Sequence, residues 1–249
     1  MTEQWFNHFW TAPGSTPEAL AFGLFSWTHL TTLIVLGIIT AAIVVTYCRI
    51  KPERRRAMRL ALGIAMLISE GFRQFSFLIL GIYRPEILPL HLCAIATFCV
   101  IIDSVKPSGW TREFLYAAGT WGPICALIFA DWANQPIFNI FTWQSFLTHA
   151  LILSYPLMLV ISGDYRPNGR QLWKAGVIVL GAVVVSWIVN TIYNTNFWFL
   201  NVGSPGSPLE PIQTLTGALY LPVLVVILGI IWTLLYLPWR RKPSANSVL

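Results

Sequence analysis

His91 and Cys93 stand two residues apart in ILPLHLCAIATFCVII, the run from Ile87 to Ile102. An imidazole serves as a general base or a metal ligand, and a thiol whose thiolate is favoured is a nucleophile. Positions i and i+2 of a helix point to roughly opposite faces, so these two side chains cannot pair with each other. Each needs a partner from another segment. His149 is the base that could activate Cys93, and His29 is a third imidazole in an apolar setting. Glu70, Arg73 and Gln74 fall together in SEGFRQ, and Asn190 and Asn194 in NTIYN. Cys99 and Cys125 lie among apolar residues and read as small hydrophobes.

The elements that carry these groups follow from composition. Of 249 residues, 56% are hydrophobic and only 10% charged, against about a quarter charged in a soluble domain. The apolar residues form continuous stretches of bilayer-spanning length, not an alternating strand pattern. The fold class is therefore all-α: a polytopic membrane protein in one domain, 1–249, with a seven-helix bundle over 27–238. Spans are expected at 27–48, 58–82, 88–105, 114–131, 143–162, 173–194 and 215–237. Pro123 and Pro156 are the residues that could break the fourth and fifth. Residues 1–26 form an external interfacial segment and 239–249 a cytoplasmic tail.

Orientation follows from the cations. The loops after spans 1, 3 and 5 and the tail carry six, two, three and three Lys or Arg, fourteen of the sixteen in the chain. The positive-inside rule puts the N-terminus outside and the C-terminus in the cytoplasm. These cations fix topology and meet anionic headgroups, so the net charge of +6 implies membrane lipids as partners and no nucleic acid. No cysteine falls in an external loop, which argues against a disulfide framework.

That topology gives each intramembrane polar residue a depth. His29, His91 and His149 all fall in the outer part of the bundle, with Glu70, Arg73 and Gln74 from span 2 at middle to outer depth. Ser186, Asn190, Tyr193 and Asn194 share one face of span 6, and Asp131 closes span 4. The inner half is expected to hold little that compares. Polar side chains are costly in hydrocarbon and normally face a wet cavity or the bundle interior. The plain alternatives are an i, i+3 ion pair between Glu70 and Arg73 that merely locks helices, and interhelical hydrogen bonds from Asn190. Two aromatic external segments, Gln4–Ala19 and Asn194–Pro211, read as interfacial anchors, with a lid over an outward site as the alternative.

The motifs resemble a known family. ILPLHLC in span 3 is similar to the LPLHLC-type signature of the YwaF-like bacterial integral membrane proteins, grouped with the eukaryotic transmembrane protein 164 family. FSWTHL, SEGFRQ, SFLTHAL and NTIYNTNFWFL stand where that family has its other motifs. Phe197 replaces an expected Tyr, and THA a more usual His-Gly. The eukaryotic relatives are regarded as phospholipid acyltransferases using a Cys nucleophile with a His. The resemblance implies a bacterial plasma-membrane protein in which Cys93 is that nucleophile and His149 that base.

The expected function is acyl transfer or acyl hydrolysis on membrane lipids at the outer leaflet. Cys93, His149 and His91 form the catalytic set. Arg73, Glu70, His29, Gln74, Asn190 and Asn194 bind substrate, with Arg73 on a phosphate or carboxylate and an asparagine on the oxyanion. No cofactor is required. The alternatives are a zinc-dependent hydrolase ligated by His29, His91 and His149, and a transporter or lipid-binding protein with a polar cavity.

Overall fold

Each apolar run becomes a helix where the sequence supplies a start and a stop. The computed structural model describes residues 7–240; Trp5, Phe6, Arg241, Lys242 and most of the 239–249 tail lie outside the described residues. Helix α1 spans Trp27–Arg49, and its N-cap Ser26 accepts the His29 N–H at 3.1 Å. Helix α2, Pro52–Ile79, begins on proline, whose missing N–H costs nothing there. Helix α6, Ile140–Ile161, is capped by Asn139, which accepts the Phe141 N–H at 2.9 Å. It continues through Pro156. Helix α7, Leu172–Tyr193, stops at Asn194, which takes the left-handed conformation with φ 54°.

Three expected spans are reshaped. The third run becomes α3, Leu92–Val105, four residues shorter at its start than expected. Pro89 disfavours helical backbone at Leu88, and a 3₁₀ turn over Pro85–Ile87 takes that place. The fourth run divides into α4, Gly109–Ala117, and α5, Trp121–Ile128. Pro123 cannot donate to the backbone ladder but is tolerated in the first turn of a new helix, so the chain restarts there. The last run divides into α8, Leu209–Thr216, and α9, Tyr220–Tyr236, around Gly217 with φ 51°.

Five segments are long and apolar enough to cross a bilayer: α1, α2, α6, Gly169–Tyr193 and Leu209–Arg240; α3 is a shorter apolar helix. The protein is an all-α polytopic membrane protein. Helix α6 is central, packing against α1, α2, α3 and α5, while α4 packs on α7. Helices α2 and α3 lie so close that a Cβ on Gly63 would meet the Ser104 Oγ at 2.0 Å. Small residues that admit this approach are the usual basis of helix association in lipid.

The Arg-rich end of the bundle, expected to hold few buried polar groups, instead carries a dense network of them. Asp103, fully buried, accepts from Thr111 Oγ1 at 2.6 Å, the Ser108 N–H at 3.2 Å and Tyr155 Oη at 3.1 Å. Asp164 accepts from Tyr47 Oη and from Arg55 Nη1, both at 2.6 Å. Buried Glu113 accepts from the hydroxyls of Tyr165 and Tyr236. Burial, and the Glu113 carboxylate beside it, push the ionisation of Tyr165 up, so its hydroxyl remains a donor. This network ties the helix connections together and holds the bundle closed at that end.

Candidate functional site

At the opposite end the late start of α3 decides the geometry. His91 becomes the N-cap of α3 and Cys93 falls in its first turn. The first N–H groups of a helix have no intrahelical partner. Those of Leu92, Cys93 and Ala94 make no hydrogen bond among the described residues, and the cap side chain supplies none. The half-buried Cys93 side chain packs against the core, with Asp131 and Cys125 within electrostatic reach of its sulfur. The sulfur itself makes no hydrogen bond among the described residues.

His149, on α6, donates its Nδ1–H to the Ser145 carbonyl at 2.7 Å, and its ring stacks on Trp132 at 5.0 Å. That bond fixes the tautomer and leaves Nε2 unprotonated, a free acceptor with no partner among the described residues. His91 lies within electrostatic reach of both His149 and Arg73. Its Nδ1 accepts the Trp198 N–H at 3.4 Å, and its ring rests on Phe197 at 4.9 Å and Phe199 at 5.8 Å.

The segment over His91 is anchored by Asn190. Its Oδ1 accepts the Phe197 N–H and the Thr195 hydroxyl, both at 2.8 Å, and its Nδ2 donates to the Phe197 carbonyl at 3.1 Å. Trp198 adds a bond from Nε1 to the Leu90 carbonyl at 2.6 Å. Beneath this segment lies a pocket of about 200 Å³ lined by Glu86, His91, Asp131, Thr195, Asn196, Phe197 and Phe199. Two carboxylates and no Lys or Arg line it.

The expected site residues do not all converge here. Of His29, Glu70, Arg73, His91 and His149, only His91 lines the pocket. His29 is fully buried, its Nδ1 accepting the Phe25 N–H at 3.1 Å and its Nε2 donating to the Leu127 carbonyl at 2.9 Å. Both nitrogens are engaged, so it can neither ligate zinc nor reach substrate. No cluster of His, Cys, Asp and Glu suited to a metal occurs among the described residues, and the three histidines do not fit a zinc ion. Asn190 has its amide committed to the 195–197 segment, so it is no oxyanion donor, and Asn194 is an exposed helix stop.

Arg73 and Glu70 form the i, i+3 pair, 2.7 Å between Nη2 and Oε1. Arg73 Nη1 and Gln74 Nε2 both donate to the Ile87 carbonyl, at 3.3 and 3.2 Å. Tyr83 Oη donates to Gln74 Oε1 at 2.8 Å. The cluster thus positions the chain that leads into His91, and Arg73 is not free to hold a phosphate. Glu86, Thr195, Asn196 and Phe199 are pocket residues that sequence reasoning did not single out. The available signal was the non-helical NTNFWF stretch beside a long apolar run.

A family model describing the TMEM164 family matches residues 24–236. The chain belongs to the TMEM164 family. The match takes in every helix from α1 to α9, and with them the His91–Cys93 motif, His149 and the Asn190 anchor. No curated protein and no solved structure matches the chain.

Proposed function

We propose that this TMEM164-family protein transfers or hydrolyses acyl groups on membrane lipids, with Cys93 as nucleophile and His149 as base. The observation that carries it is Cys93 in the first turn of α3, beside three unengaged N–H groups. A helix N-terminus favours a thiolate over a thiol. The same N–H groups suit a developing oxyanion, where one donor is typically worth about 3 kcal/mol.

In the reaction His149 Nε2 takes the Cys93 proton, directly or through a water. The sulfur attacks the acyl carbonyl, an S–C bond forms and the ester C–O bond breaks. The protonated His149 returns its proton to the leaving lysolipid oxygen. A second hydroxyl, from an acceptor lipid or water, then attacks the thioester, giving its proton to His149 as the thiolate leaves. The sulfur has no hydrogen bond among the described residues, and catalytic hydrogen bonds commonly tighten only with substrate in place. Glu86 and Asp131 give the adjacent pocket a negative lining suited to the cationic end of a lipid headgroup.

The same proposal sets the chain in a bacterial plasma membrane as seven passes, with the N-terminus outside and the site facing the outer leaflet. Helix α3 and the broken α4–α5 pair supply the two short passes. A reporter fused after Leu249 should read as cytoplasmic; an external reading overturns this orientation. For the chemistry, Cys93→Ser and His149→Gln should each lower acyl exchange between phospholipid and lysolipid in proteoliposomes by about a hundredfold or more. Full turnover by Cys93→Ser ends the proposal.

A further inference from the structure

Thr97 lies on α3 one turn beyond Cys93, at i+4, and therefore on the same face. It is fully buried, and its hydroxyl has no hydrogen-bond partner among the described residues. Of the described threonine hydroxyls buried this completely, that of Thr142 is also unpartnered; others pair locally. Thr31, Thr32, Thr191, Thr214, Thr216 and Thr233 each donate to the carbonyl four residues earlier, at 2.7 to 3.0 Å. The equivalent acceptor for Thr97 is the Cys93 carbonyl, and the hydroxyl makes no bond to it. An unpaired buried hydroxyl costs about 1–3 kcal/mol, a cost without return unless the group acquires a partner in some working state. Helical side chains lean toward the N-terminus, so Thr97 leans toward Cys93.

We infer that the Thr97 hydroxyl is a catalytic donor to the Cys93 sulfur, made when the thiolate forms. The inference rests on the proposed role of Cys93. In the resting thiol the sulfur is a poor acceptor and the hydroxyl stays unengaged. As His149 removes the proton, the sulfur becomes an anion that attracts the Thr97 O–H one helical turn away. A charge-assisted bond of this kind stabilises the thiolate selectively. Its contribution adds to that of the helix N-terminus. The other titratable groups around the sulfur are Asp131 in the α5–α6 connection and Cys125 on α5. None of them is a fixed hydroxyl donor.

The test uses full-length protein in detergent with Cys48, Cys99 and Cys125 replaced by Ala, so that iodoacetamide reports Cys93 alone. Thr97→Val keeps the shape and deletes the donor. It should slow Cys93 alkylation about tenfold at pH 8 and move the rate–pH profile about one unit to higher pH. Thr97→Ser, which keeps the hydroxyl, should restore both toward the parent protein. Burial of an unused hydroxyl predicts the opposite: Thr97→Val at least as stable as the parent and alkylated along an identical profile. That overlay would overturn the inference. Alkylation is read without any lipid substrate, so its outcome is separate from Cys93→Ser turnover. If Thr97→Val does not yield folded protein, Thr97→Ala is scored in the same way.

Discussion

Replacing Asn190 with Leu should unhook the segment that covers His91. Asn190 is 2% exposed and makes three hydrogen bonds to Thr195 and Phe197. At about 1 kcal/mol each in water, or about 0.6 for bonds between membrane helices, they sum to roughly 2–3 kcal/mol. Opposing them is backbone strain: Trp198 and Phe199 have φ of 60° and 54°, and left-handed backbone costs a non-glycine residue about 1–2 kcal/mol. The two quantities are similar in size, so the segment keeps its shape only while the amide holds it. In Asn190→Leu the buried Phe197 N–H and carbonyl also lose their partner. Amide exchange at Phe197 and Trp198 should then accelerate roughly 30- to 160-fold, as RT sets the conversion. Thr195→Val removes one bond of the three and should accelerate exchange about fivefold. Hydrogen exchange with mass readout of peptides across 195–201 measures both. Unchanged protection in Asn190→Leu would refute the anchoring role and the strain that it offsets.

Three further outcomes follow from the packing. Gly63→Ala should destabilise the protein by about 1–3 kcal/mol, because the new Cβ meets Ser104. Adding Ser104→Gly should recover most of it, as seen in the thermal midpoint in detergent. Glu113→Ala strands two tyrosine hydroxyls, and should lower stability by about 2–4 kcal/mol. Tyr236→Phe, which leaves Tyr165 bonded to Glu113, should cost about 1 kcal/mol in the same assay. His29→Leu should impair folding yield, since it strands the Leu127 carbonyl and the Phe25 N–H. Folded His29→Leu protein should retain acyl exchange.

The long apolar runs were legible because hydropathy and capping agree: Ser26, Asn139 and Asn194 stand at or within a few residues of the expected ends of their spans. The broken runs depend on prolines whose effect is positional. Pro89 delays α3 and so moves Cys93 from the second turn of the expected span to a helix start, and Pro123 opens a new helix at Trp121. The similar Pro156 leaves α6 continuous, a difference set by packing that a single sequence does not encode. Sequence alone does not flag the Arg-rich network, because its acids Asp103 and Glu113 lie beside the loop between the third and fourth expected spans, where positive charge is the topological signal. Their tyrosine partners come from distant segments. At the site, residue type suggested chemistry for His29 and Asn190, and hydrogen-bond partners remove it. A buried histidine with both nitrogens engaged looks no different in sequence from His149, whose Nε2 is open.

The central claim is that acyl groups pass through the Cys93 sulfur. Purified protein in lipid nanodiscs, quenched in acid after brief exposure to a phospholipid acyl donor, can be measured by intact mass and peptide mapping. A single added acyl chain is expected on the peptide bearing Cys93, removed by hydroxylamine and absent from Cys93→Ser. Acyl exchange that proceeds with no adduct on Cys93, or at an undiminished rate in Cys93→Ser, would contradict it.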